Sequence, residues 1–204
     1  LDPSIGDSYI QFIRELSLKC ANNGIVLSVD NYAPTAYTAF YNRSEQAVFA
    51  DYVILMGYDE HYAGSEEAGS VASLSFEEEG IQNTLQEVSA EKVVSGIPFY
   101  TRLWCTTTNE DGTTTVTSEA MGMNQAQQTL ENNQVEASWD ETTGQNYAQF
   151  NGESGELYQI WLEDTESLTR KLELIKNYDL GGVAEWKLGL EDDSVWDLIA
   201  KYVS

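Results

Sequence analysis

The chain has 204 residues, 42% of them hydrophobic and 22% charged, which suffices for one domain with a sizeable core or a domain carrying a smaller inserted module. Its 34 acidic residues against 10 basic ones give a formal net charge of −24, a field that repels nucleic-acid phosphates and anionic membrane surfaces, so neither partner is expected. No apolar run approaches the roughly 18–20 residues needed to span a bilayer and no basic leader precedes a short apolar segment, so the expectation is a soluble piece without its own export signal.

From Asp7 to Cys20 the apolar residues Tyr9, Phe12, Ile13, Leu16 and Cys20 recur at helical spacing, and Asn22-Asn23-Gly24 ends the helix. Ile25 to Val29 is β-branched and predicts a buried strand that closes at Asp30-Asn31-Tyr32. A loop with Pro34 and a short helix near Tyr41 to Phe49 follow. Tyr52 to Met56 is an apolar run that predicts a strand buried on both faces, ending in Gly57 and four polar side chains, Tyr58, Asp59, Glu60 and His61. Ser75-Phe-Glu-Glu78 has the capping-box pattern, so a helix opens there with Ile81, Leu85 and Val88 as its buried stripe. Val93 to Ile97 predicts the next buried strand, with the exit Pro98-Phe-Tyr-Thr-Arg-Leu-Trp104.

The composition then shifts. Cys105 to Thr117 is threonine-rich around the turn signal Asn109-Glu-Asp-Gly112. A helix from about Ser118 to Glu131 is expected next, then strand-like runs near Val135 to Trp139, Asn146 to Phe150 and Leu157 to Leu162. Beyond these, Leu168, Leu172, Ile175 and Tyr178 mark a helix, Val183 to Trp186 a short strand and Asp193 to Tyr202 a terminal helix. Residues 105–162 therefore look like a small α+β insertion, and residues 1–104 with 163–204 like an alternating α/β layer whose strands must be parallel. There is no Gly-x-Gly-x-x-Gly loop to support a nucleotide site, and no cofactor is expected. Cys20 and Cys105 can pair or stand free; neither arrangement implies zinc. With His61 as the one histidine, no metal site is expected either.

Each of the four strands in the alternating part leads into an exit containing Tyr, Asp, Arg or Trp, as expected of segments that share the carboxyl-end face of a (β/α)8 barrel; a complete barrel takes roughly 250 residues, so the chain would form about half of one. Leu27-Ser-Val-Asp-Asn-Tyr32, Met56-Gly-Tyr-Asp59, Gly96-Ile-Pro-Phe-Tyr-Thr-Arg102, Tyr158-Gln-Ile-Trp161 and Gly181-Gly-Val-Ala-Glu-Trp186 together resemble the C-terminal half of a family-18 glycoside hydrolase. The bacterial branch that cleaves N-acetylglucosamine linkages in peptidoglycan and spore cortex is the most similar. The resemblance implies that the four strands are the fifth to eighth of the barrel. It also implies substrate-assisted retaining hydrolysis, in which the sugar's own acetamido oxygen attacks the anomeric carbon.

By the same resemblance Tyr58 matches the tyrosine that donates to the acetamido group, Asp59 its neighbour in the motif, and Trp186 the tryptophan on which the sugar stacks. Tyr100 and Arg102 are placed to line the site, and Trp161 and Glu163 to reach it from the insertion, with packing between insertion and barrel as the alternative role for Tyr100 and Trp161. Glu60 and His61 fall to supporting or rim roles. The family's Asp-x-x-Asp-x-Asp-x-Glu motif, whose glutamate is the general acid, is absent, so the chain by itself is expected to be inactive. The sequence starts about where the family's chain would be leaving that glutamate, which suggests a segment cut after the catalytic strand. The resemblance implies an N-acetylglucosamine-containing glycan as partner and an extracellular, cell-wall or spore location. The alternatives are a non-catalytic, lectin-like protein on the same fold and an acidic interaction module without a sugar site. Open edge strands of a half-barrel would further invite a homo-oligomer.

Overall fold

A computed structural model describes residues 2–202, which fall into two compact units. The first comprises the residues up to Gly57 together with Glu78–Gly96 and Ile175–Ala184; the second comprises Tyr58–Glu77, Ile97–Leu174 and the residues from Glu185 onward. Helices α1 (Gly6–Asn22), α2 (Arg43–Phe49) and α3 (Leu74–Thr84) and strands β1 (Ser28–Tyr32), β2 (Tyr52–Met56) and β3 (Val93–Pro98) come first in the chain. A β-rich stretch follows: β4 (Tyr100–Thr108), β5 (Thr114–Gly122), α4 (Met123–Asn133), β6 (Ser138–Asp140), β7 (Gln145–Asn151) and β8 (Leu157–Leu162). Helix α5 (Thr165–Asn177), β9 (Gly182–Trp186) and α6 (Ser194–Ile199) close it.

One sheet has the order β1-β2-β3-β9. Its first two pairings are parallel, with Ser28 opposite Tyr52 and Val53 opposite Val93. The first unit's core is Ile13, Val29, Ala50, Val53, Val88 and Val93. Helix α1 contributes the buried side chains of Ile13 and Cys20, seven residues or two turns apart. Gly24, at φ 65°, lets the Ile25 amide return to the Cys20 carbonyl at 3.0 Å and end the helix. The β-branched pair Ile25-Val26 does not enter the strand: both side chains are exposed, and β1 starts only at Ser28. The reason is non-local. Asp51 binds the Leu27 amide at 2.7 Å and donates its own amide to the Leu27 carbonyl at 2.8 Å, so the parallel ladder can begin only beyond Leu27.

The second sheet, in the order β5-β4-β8-β7-β6, is antiparallel at every pairing. Met121, Ala126, Leu130, Ala148, Ile160 and Leu162 join it to α4 in a second core. The β4–β5 hairpin turns at Asn109–Gly112, where Gly112 has φ 81°, and its arms are longer than the threonine run, from Tyr100 to Gly122. Residues Ser118 to Gly122, expected to open a helix, are strand instead, because Ala120 and Gly122 continue the register opposite Arg102 and Tyr100. Both cysteines are free thiols, and among the described residues no helix is long and apolar enough to cross a membrane.

Candidate functional site

The side chains at the end of β2 belong to the second unit, and what holds them is the loop that follows. Residues 58–73 fold back on themselves, with the Glu60 amide on the Val71 carbonyl at 2.9 Å and the His61 amide on the Ser70 carbonyl at 3.2 Å. The Glu60 carboxylate accepts the Ser73 amide at 2.8 Å, and the His61 Nδ1–H donates to the Ser70 carbonyl at 2.8 Å. Two contacts pin this loop to the second sheet: the buried Trp104 indole N–H donates to the Gly69 carbonyl at 2.8 Å, and the Ser70 hydroxyl donates to Gln145. Glu60 and His61 are thus the supports of the loop, and Tyr58 and Asp59 are its presented face.

Asp59 is exposed and sits at φ 62°, a left-handed backbone that costs a non-glycine residue free energy unless surrounding bonds hold it. Its carboxylate supplies one such bond by accepting the Tyr100 hydroxyl at 2.5 Å. Burial, and then the adjacent Asp59 carboxylate, push the Tyr100 phenol far above its ordinary range, so at neutral pH Tyr100 is a fixed hydrogen-bond donor. The Tyr58 ring meets Tyr100 edge-on at 6.2 Å between centroids and lies over Trp186 at 6.4 Å, with 29° between the planes. Trp186 keeps 53% of its surface exposed, unusual for the largest apolar side chain and suited to stacking. The Phe99 amide donates to its carbonyl at 2.8 Å, and the peptide between Trp186 and Lys187 is cis.

Asp59, Tyr100 and Trp186 open onto a cavity of about 340 Å³ that they line with Arg102, Ala120, Met121, Gly122, Gln125 and Leu190; Tyr58, half-buried, packs against the Tyr100 and Trp186 rings and is not itself on the wall. That volume lies at the lower end of the range for small-ligand sites. Arg102, two residues after Tyr100 and on the same face of β4, donates from Nη1 to the Ser118 hydroxyl at 3.1 Å. The hairpin wall and Leu190 were not foreseen. A Cβ on Gly122 would stand 2.7 Å from the Leu190 carbonyl oxygen, so only glycine admits this approach, and the Met123 amide closes it with a 2.8 Å bond to the same oxygen.

Two of the candidate residues are elsewhere. Trp161 packs its ring on Tyr147, 4.8 Å between centroids, and its carbonyl accepts the Thr101 hydroxyl. Glu163 is not on the cavity wall either. Its side chain is 1% exposed and paired with the fully buried Lys171 ammonium at 2.5 Å, and it accepts from Gln145 at 2.8 Å and Ser167 at 2.9 Å. A carboxylate so enclosed has no surface for a ligand. Glu185, adjacent to Trp186, is half-buried, and burial raises its carboxyl above the ordinary range, but it is not part of the cavity wall. Among the described residues no group of three or more His, Cys, Asp or Glu could hold a metal ion.

The chain is 27% identical, over 98% of its length, to the cortical fragment-lytic enzyme of Bacillus subtilis (strain 168), of which it covers 47%. It is 25% identical, over 79% of its length, to human di-N-acetylchitobiase, of which it covers 46%. The chain therefore spans about half the length of these curated relatives. Its fold matches that of the Bacillus megaterium QM B1551 spore cortex-lytic enzyme SleL with a TM-score of 0.87 at 21% identity, covering all of this chain and 47% of that one. The model of the glycosyl hydrolases family 18 matches residues 3–191, nearly the whole sequence, and the chain belongs to that family.

Proposed function

We propose that this chain is the C-terminal half, strands five to eight, of a (β/α)8 glycosidase barrel, and that it forms the wall holding an N-acetylglucosamine unit of peptidoglycan or a chitin-like glycan during substrate-assisted hydrolysis. The observation that carries the reading is the cavity shared by an exposed Trp186 indole and the Asp59–Tyr100 pair, with the Tyr58 ring packed edge-on against Tyr100 and stacked on Trp186. Trp186 supplies the apolar platform for the sugar ring, and Tyr58 and Asp59 address the acetamido group and a neighbouring hydroxyl. The relatives named for spore cortex support a spore or cell-wall setting. In a glycosidase of this family the leaving oxygen needs a proton donor, and this sequence holds no Asp-x-x-Asp-x-Asp-x-Glu motif to supply it. A non-catalytic glycan-binding protein would use the same wall, and an acidic motif in any sequence encoded before Leu1 would favour hydrolysis over it.

The test is titration of the purified chain with chitotriose, followed by tryptophan fluorescence. Saturable binding that weakens roughly tenfold or more in Trp186→Ala is expected, the loss typical of a stacked aromatic anchor. An acidic module without a sugar site would give no response.

The same proposal bears on assembly. Strand β1 is a sheet edge, and in the first unit Phe12, Leu18, Ile25 and Val26 are each more than half exposed. An uncovered parallel edge beside apolar side chains favours pairing, so sedimentation of the isolated chain is expected to show a concentration-dependent dimer. Monomeric behaviour at high concentration would contradict it.

A further inference from the structure

The loop that presents Asp59 is tied to the second sheet through a buried side chain whose hydrogen bonds can run in one direction only. Gln145, at the start of β7, is 1% exposed. Its Nε2 donates to the Glu163 carboxylate at 2.8 Å and to the Leu162 carbonyl at 3.3 Å. A carbonyl oxygen can only accept, so the amide cannot be turned round and its Oε1 must face Ser70. The Ser70 hydroxyl, 75 residues earlier in the chain, therefore gives its proton to Gln145, and its oxygen takes the Ala72 amide at 3.0 Å. Lys171 fixes the far end by holding the carboxylate that holds Gln145. In a buried polar chain of this kind each partner restricts the next, and a break at any link leaves groups unsatisfied.

Ser70 is also where the loop closes on itself. Its carbonyl accepts both the His61 amide at 3.2 Å and the His61 ring N–H at 2.8 Å, and His61 is two residues beyond Asp59. Asp59 sits at φ 62°, a backbone conformation that persists only where its surroundings hold it. The turn between β6 and β7 makes a second contact with the same loop: the Thr143 carbonyl accepts the Leu74 amide at 2.8 Å, and Gly144, at φ 67°, comes so close that a Cβ there would stand 2.8 Å from the Leu74 Cβ. This turn is thus a seat for the loop, at Ser70 through Gln145 and at Leu74 directly. We infer that Gln145 is a positioning residue for the sugar site: through Ser70 and His61 it holds the Asp59 backbone in the conformation that brings its carboxylate to the Tyr100 hydroxyl and the cavity. The inference rests on the proposed sugar site. Gln145 is not on the cavity wall and acts on it only through the loop.

The experiment reads chitotriose affinity and loop order separately on the purified chain. His61 is the one histidine, so its ring signal in a proton–carbon NMR spectrum reports the Ser70 contact without overlap. Two variants break the link from opposite sides: Gln145→Met keeps the length of the side chain and loses the amide, and Ser70→Ala leaves Gln145 and the ion pair in place. In each, the His61 signal should shift and chitotriose should bind about threefold to tenfold weaker. Because both changes remove the same link, the double variant should bind no more weakly than the weaker of the two single ones. Ile160→Val trims the second core and measures general loosening; it should leave chitotriose affinity unchanged. Should Gln145→Met fail to fold, Ser70→Ala decides by the same two readouts. Variants that bind chitotriose as tightly as the unaltered chain would overturn the positioning role and leave the sugar site standing, as would losses that add in the double variant or an equal loss in Ile160→Val. Failure of the unaltered chain to bind chitotriose would overturn the sugar site and this role with it.

Discussion

Replacing Lys171 by methionine is expected to destabilise the second unit by about 3–5 kcal/mol at neutral pH, measured by chemical denaturation. The Lys171 ammonium and the Glu163 carboxylate are both cut off from solvent and face each other at 2.5 Å, with Gln145 and Ser167 satisfying the remaining carboxylate lone pairs. Removing one partner of such a pair strands the other charge in a low-dielectric interior, which is the expensive case. Removing both with shape retained is not. The double variant Glu163→Gln, Lys171→Met should recover much of the loss, since the Gln side-chain oxygen still accepts from Gln145. Acid titration gives an independent reading. Burial pushes the Glu163 carboxyl above the ordinary glutamate range, against the lowering pull of the Lys171 ammonium and the Ser167 hydroxyl. A carboxyl with a raised folded pKa binds more protons folded than unfolded. Its contribution to stability is therefore fullest below the ordinary glutamate pKa and is lost as pH rises through the folded value. Without the ammonium that value rises further, so the deficit of Lys171→Met should be smallest in acid and grow toward neutral pH. A deficit under about 1 kcal/mol, or one that does not change with pH, would contradict a buried ion pair.

Glu163 also shows where sequence stops being legible. It stands just past the end of β8, as Asp59 stands past the end of β2, and the two exits look alike in one dimension. What separates them is the partner: Lys171 lies two helical turns further on, inside α5, and turns the carboxylate inward, whereas Asp59 meets a phenol at the edge of a cavity. The strand Tyr52–Met56 was readable to the residue because a short apolar run bounded by Asp51 and Gly57 has no competing pattern. Ile25-Val26 misled because β-branched propensity is local while the start of a parallel ladder is set by its neighbour, here Asp51. The wall contributed by Ala120, Gly122 and Leu190 depends on a close approach between segments nearly seventy residues apart, and no pattern in either segment announces it. Tyr58, Asp59 and Trp186 were nominated by the family resemblance, and Tyr100 and Arg102 by their place after a strand, where α/β sheets gather side chains; Asp59, Tyr100, Arg102 and Trp186 share one cavity. That rule identifies the exits without telling which side chains turn inward.

The isolated chain should bind a glycan it does not cleave. In the proposed mechanism the acetamido oxygen is the nucleophile, so the protein's main chemical duty is to protonate the departing oxygen, a contribution on the order of 10²–10⁴-fold. None of the cavity's groups is suited to it. The Tyr100 phenol, with its pKa raised by burial and by Asp59, holds its proton too tightly to give it up near neutrality. Asp59 accepts that phenol's hydrogen bond and is committed to positioning. Leaving groups differ in how much they need the missing proton: a sugar hydroxyl departs as a strongly basic alkoxide unless protonated, whereas a dinitrophenolate departs readily as the anion. The expected result is therefore no measurable cleavage of chitotriose, together with slow release of dinitrophenol from its N-acetylglucosaminide, the latter reduced in Asp59→Asn. Cleavage of chitotriose by the purified chain would show that a proton donor exists within these residues and would overturn the division of labour proposed for the wall. Failure to release even the activated phenol would place the orientation of the acetamido group, and not only the acid, outside Tyr58 and Asp59.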